Sequence, residues 1–549
     1  MSGCNPLLSV FRVAQVICVM TLGIGTSACA SPGEVDATES DTVNLDEDTA
    51  AYWQVKGSTA LQAALARKPI EGRAKGIVLF VGDGMGVATI TAGRIYAGQV
   101  EGRDGESNLL SFDRFPHTAL IKTYNVNQQT PDSAGTMSAI ITGVKTDAGL
   151  ISVTGNTPRG DCRAALANAA PTLLEQLEAE GWATGIVSTA RLSHATPAAT
   201  YSHAPERGWE DDSAIPKNQR GKGCKDIAAQ LIDFPVGDGL EVALGGGRRH
   251  FLPRERDGAA YPDPEEIERA GWRLDGRHLG EEWQAKRPAA RWIWNQAQFD
   301  ALDIDTVGPV LGIFNFSHMQ YELDRENDPA GEPSLSDMTA TAIRLLSRGD
   351  RPFFLMVESG RIDHAHHATN AKRAFADTAE LSKAVQIADE MTDDSDTLIL
   401  VTADHSHVMT IAGYATRDND VLDVSRGNDD AGNPTDEPEL DKAGQPYTTI
   451  SYANGRGGRM LDEAVTAGGG EVIYDSEITE QRRLDLTAMD TTDDGYHQES
   501  LVPTGAETHG GEDVALYAKG PWAHLLSGTQ EQSYIYYVMR YAACGECEQ

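Results

Sequence analysis

Residues 352–367 read PFFLMVESGRIDHAHH, and the fold turns on how this stretch is read. Phe353 to Val357 is an apolar run too short for a typical helix, so it predicts a buried parallel strand. Glu358 follows at once, then Asp363 and, four places on, His367. Open α/β sheets bind ligands just past the carboxyl ends of their strands, and these groups fall there. If the chain turns into a helix at that point, Asp363 and His367 share one face. A carboxylate and an imidazole so placed can meet one metal ion. The simpler alternative is a polar helix start with an N-capping acid. His364, His366 and His367, crowded behind a core strand, weigh against it.

The same grammar occurs twice more. Gly76 opens the run IVLFVG, which ends at Asp83, and the run before Asp404 carries His405 and His407 just beyond it. Gly82, Gly84 and Gly86 do not complete a dinucleotide fingerprint, because Val87 stands where the third glycine is needed. They let backbone approach a site around Asp83, or form a plain turn. Further strands are read at 118–126, 183–188, 241–244 and 514–518, and helices at 58–67, 335–347, 370–391 and 530–542. The alternation predicts an α/β fold with a large, mainly parallel central sheet flanked by helices on both faces. Asp83, Glu358 and Asp404 then share one sheet edge, where unpaired buried charge is too costly to persist. Divalent cations are the natural partners, and two close metals are the usual device for in-line displacement at phosphorus. Ser133, in PDSAGT, is either a helix N-cap or a nucleophile facing an anion site at the helix N-terminus.

The chain has 549 residues and a formal net charge of −36, which argues against nucleic acid as a partner. Arg12, the apolar run Val13–Ile24 and the small residues Ser27 to Ala30 read as an export leader, residues 1–30. The expected location is periplasmic or extracellular. Cys29 is the candidate for a lipid anchor, although Thr26, three places earlier, is a poor match to that pattern. An acidic linker is read over 31–57 and the folded body over 58–549. Beyond the leader, Cys162, Cys224, Cys544 and Cys547 allow three pairings. Cys162–Cys224 and Cys544–Cys547 are expected. Residues 418–441 hold nine acids against one arginine, so an inserted, solvent-facing excursion is read from about 417 to 495.

VGDGMG at 81–86, PDSAGT at 131–136, RLSHATPAATYSHAPER at 191–207, VESGRIDHAHH at 357–367, VTADHSHV at 401–408 and THGGEDVALYAKGP at 508–521 together resemble the alkaline phosphatases, the animal-type branch above all. The resemblance covers roughly 70–545 and implies phosphomonoester hydrolysis through a phosphoserine, with two Zn2+ and one Mg2+ per subunit. It implies that Ser133 is phosphorylated, and that Asp363, His367 and His509 hold the first zinc. Asp404, His405 and Asp83 would hold the second. Asp83 would also reach magnesium, with Thr196 and Glu358. Arg207 would grip the phosphate. His194 and His364 fall where this branch differs from its relatives, with His364 near the substrate. His366, His203 and His407 are expected in structural or outer roles. The residues from 417 to 495 would form a crown-like subdomain at a homodimer interface, with Tyr414 reaching the neighbouring subunit. At the branch's calcium site stand Ala260, Phe314, Asn315 and Glu332; two carboxylates are missing, which counts against calcium. A sulfatase or phosphodiesterase on a similar scaffold is the competing enzyme class. A sulfatase would need CxPxR, and Cys4-Asn5-Pro6 lacks the arginine. A non-catalytic phosphate- or metal-binding protein is the third reading.

Overall fold

The computed structural model describes residues 49–254, 270–456, 483 and 485–545. The leader with Cys29, most of the acidic linker, Ala260, Cys547 and residues 457–482 of the insertion lie outside the described residues. The chain divides into two units, Met1–Arg67 and Lys68–Gln549. The first contributes one helix, Ala50–Ala66, none of whose residues is buried. The Thr49 hydroxyl caps it, accepting from the Tyr52 N–H at 3.2 Å. This corrects the sequence reading at two points. The helix begins well before residue 58, inside the expected linker, and the compact body begins at Lys68.

The second unit is built on a ten-stranded sheet. In chain order its strands are β1 Gly76–Gly82, β2 His117–Lys122, β3 Ala183–Arg191, β4 Val242–Gly246, β5 Arg291–Ile293, β6 Val310–Ile313, β7 Phe353–Ser359, β8 Thr397–Ala403, β9 Val514–Lys519 and β10 Gly528–Glu531. They lie in the order β10-β2-β9-β8-β1-β7-β3-β4-β6-β5. Neighbours are parallel except around β9, which runs antiparallel to both β8 and β2. Every residue of β1, β7 and β8 is buried, as befits central strands covered on both faces. Helices Val87–Val100, Leu335–Leu346 and Ala371–Met391 pack together, and Ser133–Thr142 packs with Ala195–Tyr201 and Tyr534–Cys544. The apolar stripe read over 370–391 is buried throughout, from Ala371 to Ala388.

Strand register positions the site. Gly82 pairs with Ala403, so Asp83 and Asp404 leave the sheet level with one another, and Glu358, opposite Val81, lies two residues short of them on β7. Ser188 of β3 also pairs with Glu358, and the 191–207 loop departs from the same edge. Because β9 is antiparallel, its first residues lie beside the end of β8, with Leu516 opposite Thr402. His509 is thereby delivered to that edge from the opposite chain direction. The stretch 250–340, which shows no motif, supplies the edge strand β5 and its neighbour β6. Cys162 and Cys224 are bridged, with Cα atoms 5.6 Å apart, as expected. Strands Met409–Ile411, Ile450–Gly455 and Ser500–Pro503 form a small separate sheet at the base of the insertion. No described helix is long and apolar enough to cross a membrane.

Candidate metal centre and active site

Ser133 is the first residue of a ten-residue helix, every position of which is buried. The cap is Asp132, whose Oδ1 accepts the Gly135 N–H at 3.1 Å. Ser133 therefore has no capping duty, and the N-cap reading of this serine is wrong. Its Oγ instead lies 3.1 Å from His405 Nε2.

The imidazoles around it share one arrangement. His367 Nδ1 faces the Glu507 carbonyl at 2.6 Å, and His509 Nδ1 faces the Pro131 carbonyl at 2.8 Å. A carbonyl only accepts, so both Nδ1 atoms carry the proton and both Nε2 atoms present lone pairs. Those lone pairs face each other at 3.2 Å, and each lies 3.3 Å from Asp363 Oδ1. Such a convergence of acceptors repels itself unless a cation joins it, and the outward Nδ1–H bonds are those that orient metal-ligating histidines. His405 repeats the pattern. Its Nδ1 faces the Ser406 carbonyl at 3.3 Å, while Nε2 lies 3.4 Å from both Asp83 Oδ1 and Asp404 Oδ2.

The carboxylates are equally unbalanced. Asp83 is fully buried, and neither of its oxygens has a hydrogen-bond partner among the described residues. Nor do Glu358 Oε1 and the hydroxyl of Thr196, both also buried. Burial and the neighbouring Asp404 and Asp363 charges raise the Asp83 carboxyl well above the usual range. Burial likewise pushes Glu358 up to about 8 and raises Asp404. Among the described residues, Asp363, His367, His407 and His509 form one group able to hold a metal ion. Asp83, Asp363 and His405 form a second, and Asp83, His194 and Glu358 a third. Oxygen and imidazole donors of this kind suit zinc, and the oxygen-rich third group suits magnesium.

Close packing of backbone makes room for this cluster. Gly84 adopts φ +71°, and a Cβ there would lie 2.4 Å from His407 Nε2. The glycines after β1 thus serve the close approach that was one of their two readings.

The protonation pattern has a consequence for the metal-stripped protein. His407 bridges Glu507, at 2.5 Å, and Asp363, at 2.8 Å. Burial opposes its charge, but the two carboxylates prevail and push it up to about 10. Above pH 6.5, the ordinary histidine value, the folded chain holds protons on His407 and Glu358 that the unfolded chain has released. Stability must fall as pH rises wherever the folded state binds more protons. Without metals, Tm is expected to drop between about pH 6.5 and about pH 10. Zinc and magnesium, which need deprotonated ligands, should reverse the trend. A Tm that climbs over this range without metals would contradict the assignment.

Most residues singled out in the sequence converge here, and some unforeseen ones join them. Arg207 Nη1 lies 3.2 Å from Asp132 Oδ2, and its Nη2 lies 3.1 Å from His194 Nε2. Asp132, inside the PDSAGT motif, thus ties the Ser133 helix to the guanidinium. Burial, reinforced by Arg361, holds His364 down at about 3, so its ring is neutral. His366 is a core residue: its nitrogens meet the Thr89 hydroxyl at 3.0 Å and the Tyr452 hydroxyl at 2.8 Å. His203 is held by the Ser152 carbonyl and Glu175. Glu507 and His318 were not foreseen; Glu507, two places before His509, was within reach of the motif, and His318 was not. At the calcium positions, Asn315 donates to Glu332 at 2.6 Å, and burial raises Glu332 to about 7.

Buried acids and imidazole lone pairs gathered around one hydroxyl, at the strand ends of a mainly parallel sheet, define a metal-dependent hydrolase site. The alkaline phosphatase family profile matches residues 74–545, and the chain belongs to that family of phosphoric monoester hydrolases. It is 42% identical over 497 residues to the tissue-nonspecific alkaline phosphatase of Gallus gallus, spanning 90% of this chain and 89% of that one. To the corresponding enzyme of Homo sapiens it is 39% identical over 529 residues, covering 96% and 92%. Solved structures share the fold. The alkaline phosphatase of Thermus thermophilus superposes with a TM-score of 0.59 at 22% identity, covering 89% of this chain and 94% of that one. That of the Antarctic bacterium TAB5 superposes at 0.54 and 19%, covering 86% and 98%.

Proposed function

We propose that the protein hydrolyses phosphate monoesters through a phosphoserine on Ser133, at a site of two zinc ions and one magnesium ion, with its optimum at alkaline pH. The observation that carries this reading is the fully buried Asp83 carboxylate, which has no hydrogen-bond partner among the described residues and lies against His405, the residue that meets Ser133 Oγ. Asp363, His367 and His509 would hold the first zinc, and Asp404, His405 and Asp83 the second. Asp83, Thr196 and Glu358 would hold magnesium. When bound, these cations supply Lewis acidity, lowering the pKa of a coordinated oxygen toward neutrality.

The chain's own groups do the rest. Ser133 Oγ attacks phosphorus as the bond from phosphorus to the alcohol oxygen breaks, and the proton given up by the serine is balanced by the one the departing alcohol takes up. Water then cleaves the phosphoserine, returning the hydroxyl and releasing inorganic phosphate. Arg207, aimed by Asp132 and His194, grips two non-bridging oxygens as a bidentate fork. His364 contacts the substrate. We further propose export to an oxidising compartment, for which the Cys162–Cys224 bridge speaks, with Cys29 as a lipid-anchor candidate. A homodimer is proposed as well, and Tyr414, 89% exposed in the single chain, is available to the neighbouring subunit.

The test is an assay of the zinc- and magnesium-loaded protein on a chromogenic phosphomonoester and the matching diester. Rapid monoester turnover at alkaline pH, slow diester turnover and loss of both on chelation are expected. Equal rates on the two esters, or undiminished activity after stripping, would refute the reading.

A further inference from the structure

His318 lies in the loop after β6 and meets two imidazoles of the site. Its ring centroid is 4.0 Å from that of His364, with the planes at 54°, and 5.3 Å from that of His194, with the planes at 80°. His194 and His364 are 5.5 Å apart, so the three rings form a closed cluster. One side of the cluster is anchored. The Arg191 guanidinium donates to His318 Nε2, and Arg191 is locked to Glu210 by two hydrogen bonds of 2.7 Å. Glu210 also accepts from the Ser193 hydroxyl at 2.7 Å, which fixes the anchor in turn. On the other side, His194 Nε2 receives Arg207.

A guanidinium only donates. The plane of Arg207 is therefore set by two acceptors, the Asp132 carboxylate on one nitrogen and the His194 ring on the other. Remove the support behind His194 and one of these two fixed points becomes loose. The fork must then be ordered when the anion arrives, and affinity falls by that cost.

We propose that His318 is a positioning residue for phosphate: wedged against His194 and His364, it holds both rings toward the anion site and, through His194, sets the direction of the Arg207 fork. The inference rests on the role given to Arg207 above. Its test uses the metal-loaded protein with His318→Ala, which removes the wedge, and His318→Phe, which refills it. Inorganic phosphate binding is read by isothermal titration calorimetry, alongside kcat, KM and metal content. His318→Ala should raise the phosphate Kd and the monoester KM together by about five- to tenfold, the scale of lost ring contacts. It should alter kcat by less than about threefold, the pattern of a lost binding contribution. Zinc and magnesium content should match the wild type, and His318→Phe should recover most of the lost affinity. Unchanged phosphate affinity in His318→Ala would overturn the proposal. So would loss of metal, or equal weakening in both variants. Calorimetry keeps the two readings apart: a wild type that binds phosphate but turns over no monoester refutes the proposed function and leaves the positioning role standing.

Discussion

Ser133→Ala is expected to lower kcat by at least ~10³-fold while leaving the fold and the bound metals in place. The contrast is large because this serine does little else. Asp132 caps the helix, and the Ser133 hydroxyl makes one side-chain hydrogen bond, to His405 at 3.1 Å. Losing it should cost about 1 kcal/mol, partly offset by the better helix propensity of alanine. Asp404 keeps its position without the hydroxyl, because its Oδ1 accepts from the backbone N–H groups of Gly84, at 3.0 Å, and His405, at 2.9 Å. A fold held by these contacts and an activity resting on one oxygen should therefore separate cleanly. Thermal melting and metal content test the first, and single-turnover kinetics the second. Mass spectrometry of acid-quenched wild type should find phosphate on Ser133 and nowhere else. Wild-type kcat in Ser133→Ala would sink the covalent route, whatever became of the metals.

How far the sequence reached depended on where each residue sits. Asp83, Glu358 and Asp404 were legible because an apolar run that stops at an acid sets that acid at the strand-end edge of a parallel sheet, and β1, β7 and β8 are central strands buried along their whole length. Asp363 and His367 were legible through helical spacing alone. His509 was not legible by that logic: it precedes a strand, and only the antiparallel direction of β9 brings it to the site. Resemblance supplied it. β5 and β6 stayed hidden because they are only three and four residues long, and β5 has a single buried position. His318 lies in a loop, where no periodicity exists to mark it. Ser133 was seen but its alternative role was misjudged, because capping turns on which of two adjacent polar residues has extended backbone, and that residue is Asp132.

The second large effect is expected from Asp363→Asn. Oδ1 of Asp363 is the focus of three imidazole nitrogens, from His407 at 2.8 Å and from His367 and His509 at 3.3 Å each. An amide keeps the shape of the carboxylate but removes its charge, so a cation shared with the His367 and His509 lone pairs loses its only anionic ligand there. Breaking a buried charge pair costs about 3–5 kcal/mol. Converted to rate, that is roughly 10²- to 10³-fold or more in kcat/KM. Metal analysis should show one zinc fewer per chain. The second zinc should survive, because Asp83, Asp404 and His405 are untouched. His366→Gln is the matched control, since His366 belongs to the same helix and is just as buried. Its nitrogens serve Thr89 and Tyr452, so that variant should lose about 1–3 kcal/mol of stability yet keep its zinc. If Asp363→Asn retained the full metal complement and wild-type turnover, the convergence of three imidazoles on one oxygen would have to be a packing arrangement rather than a zinc site.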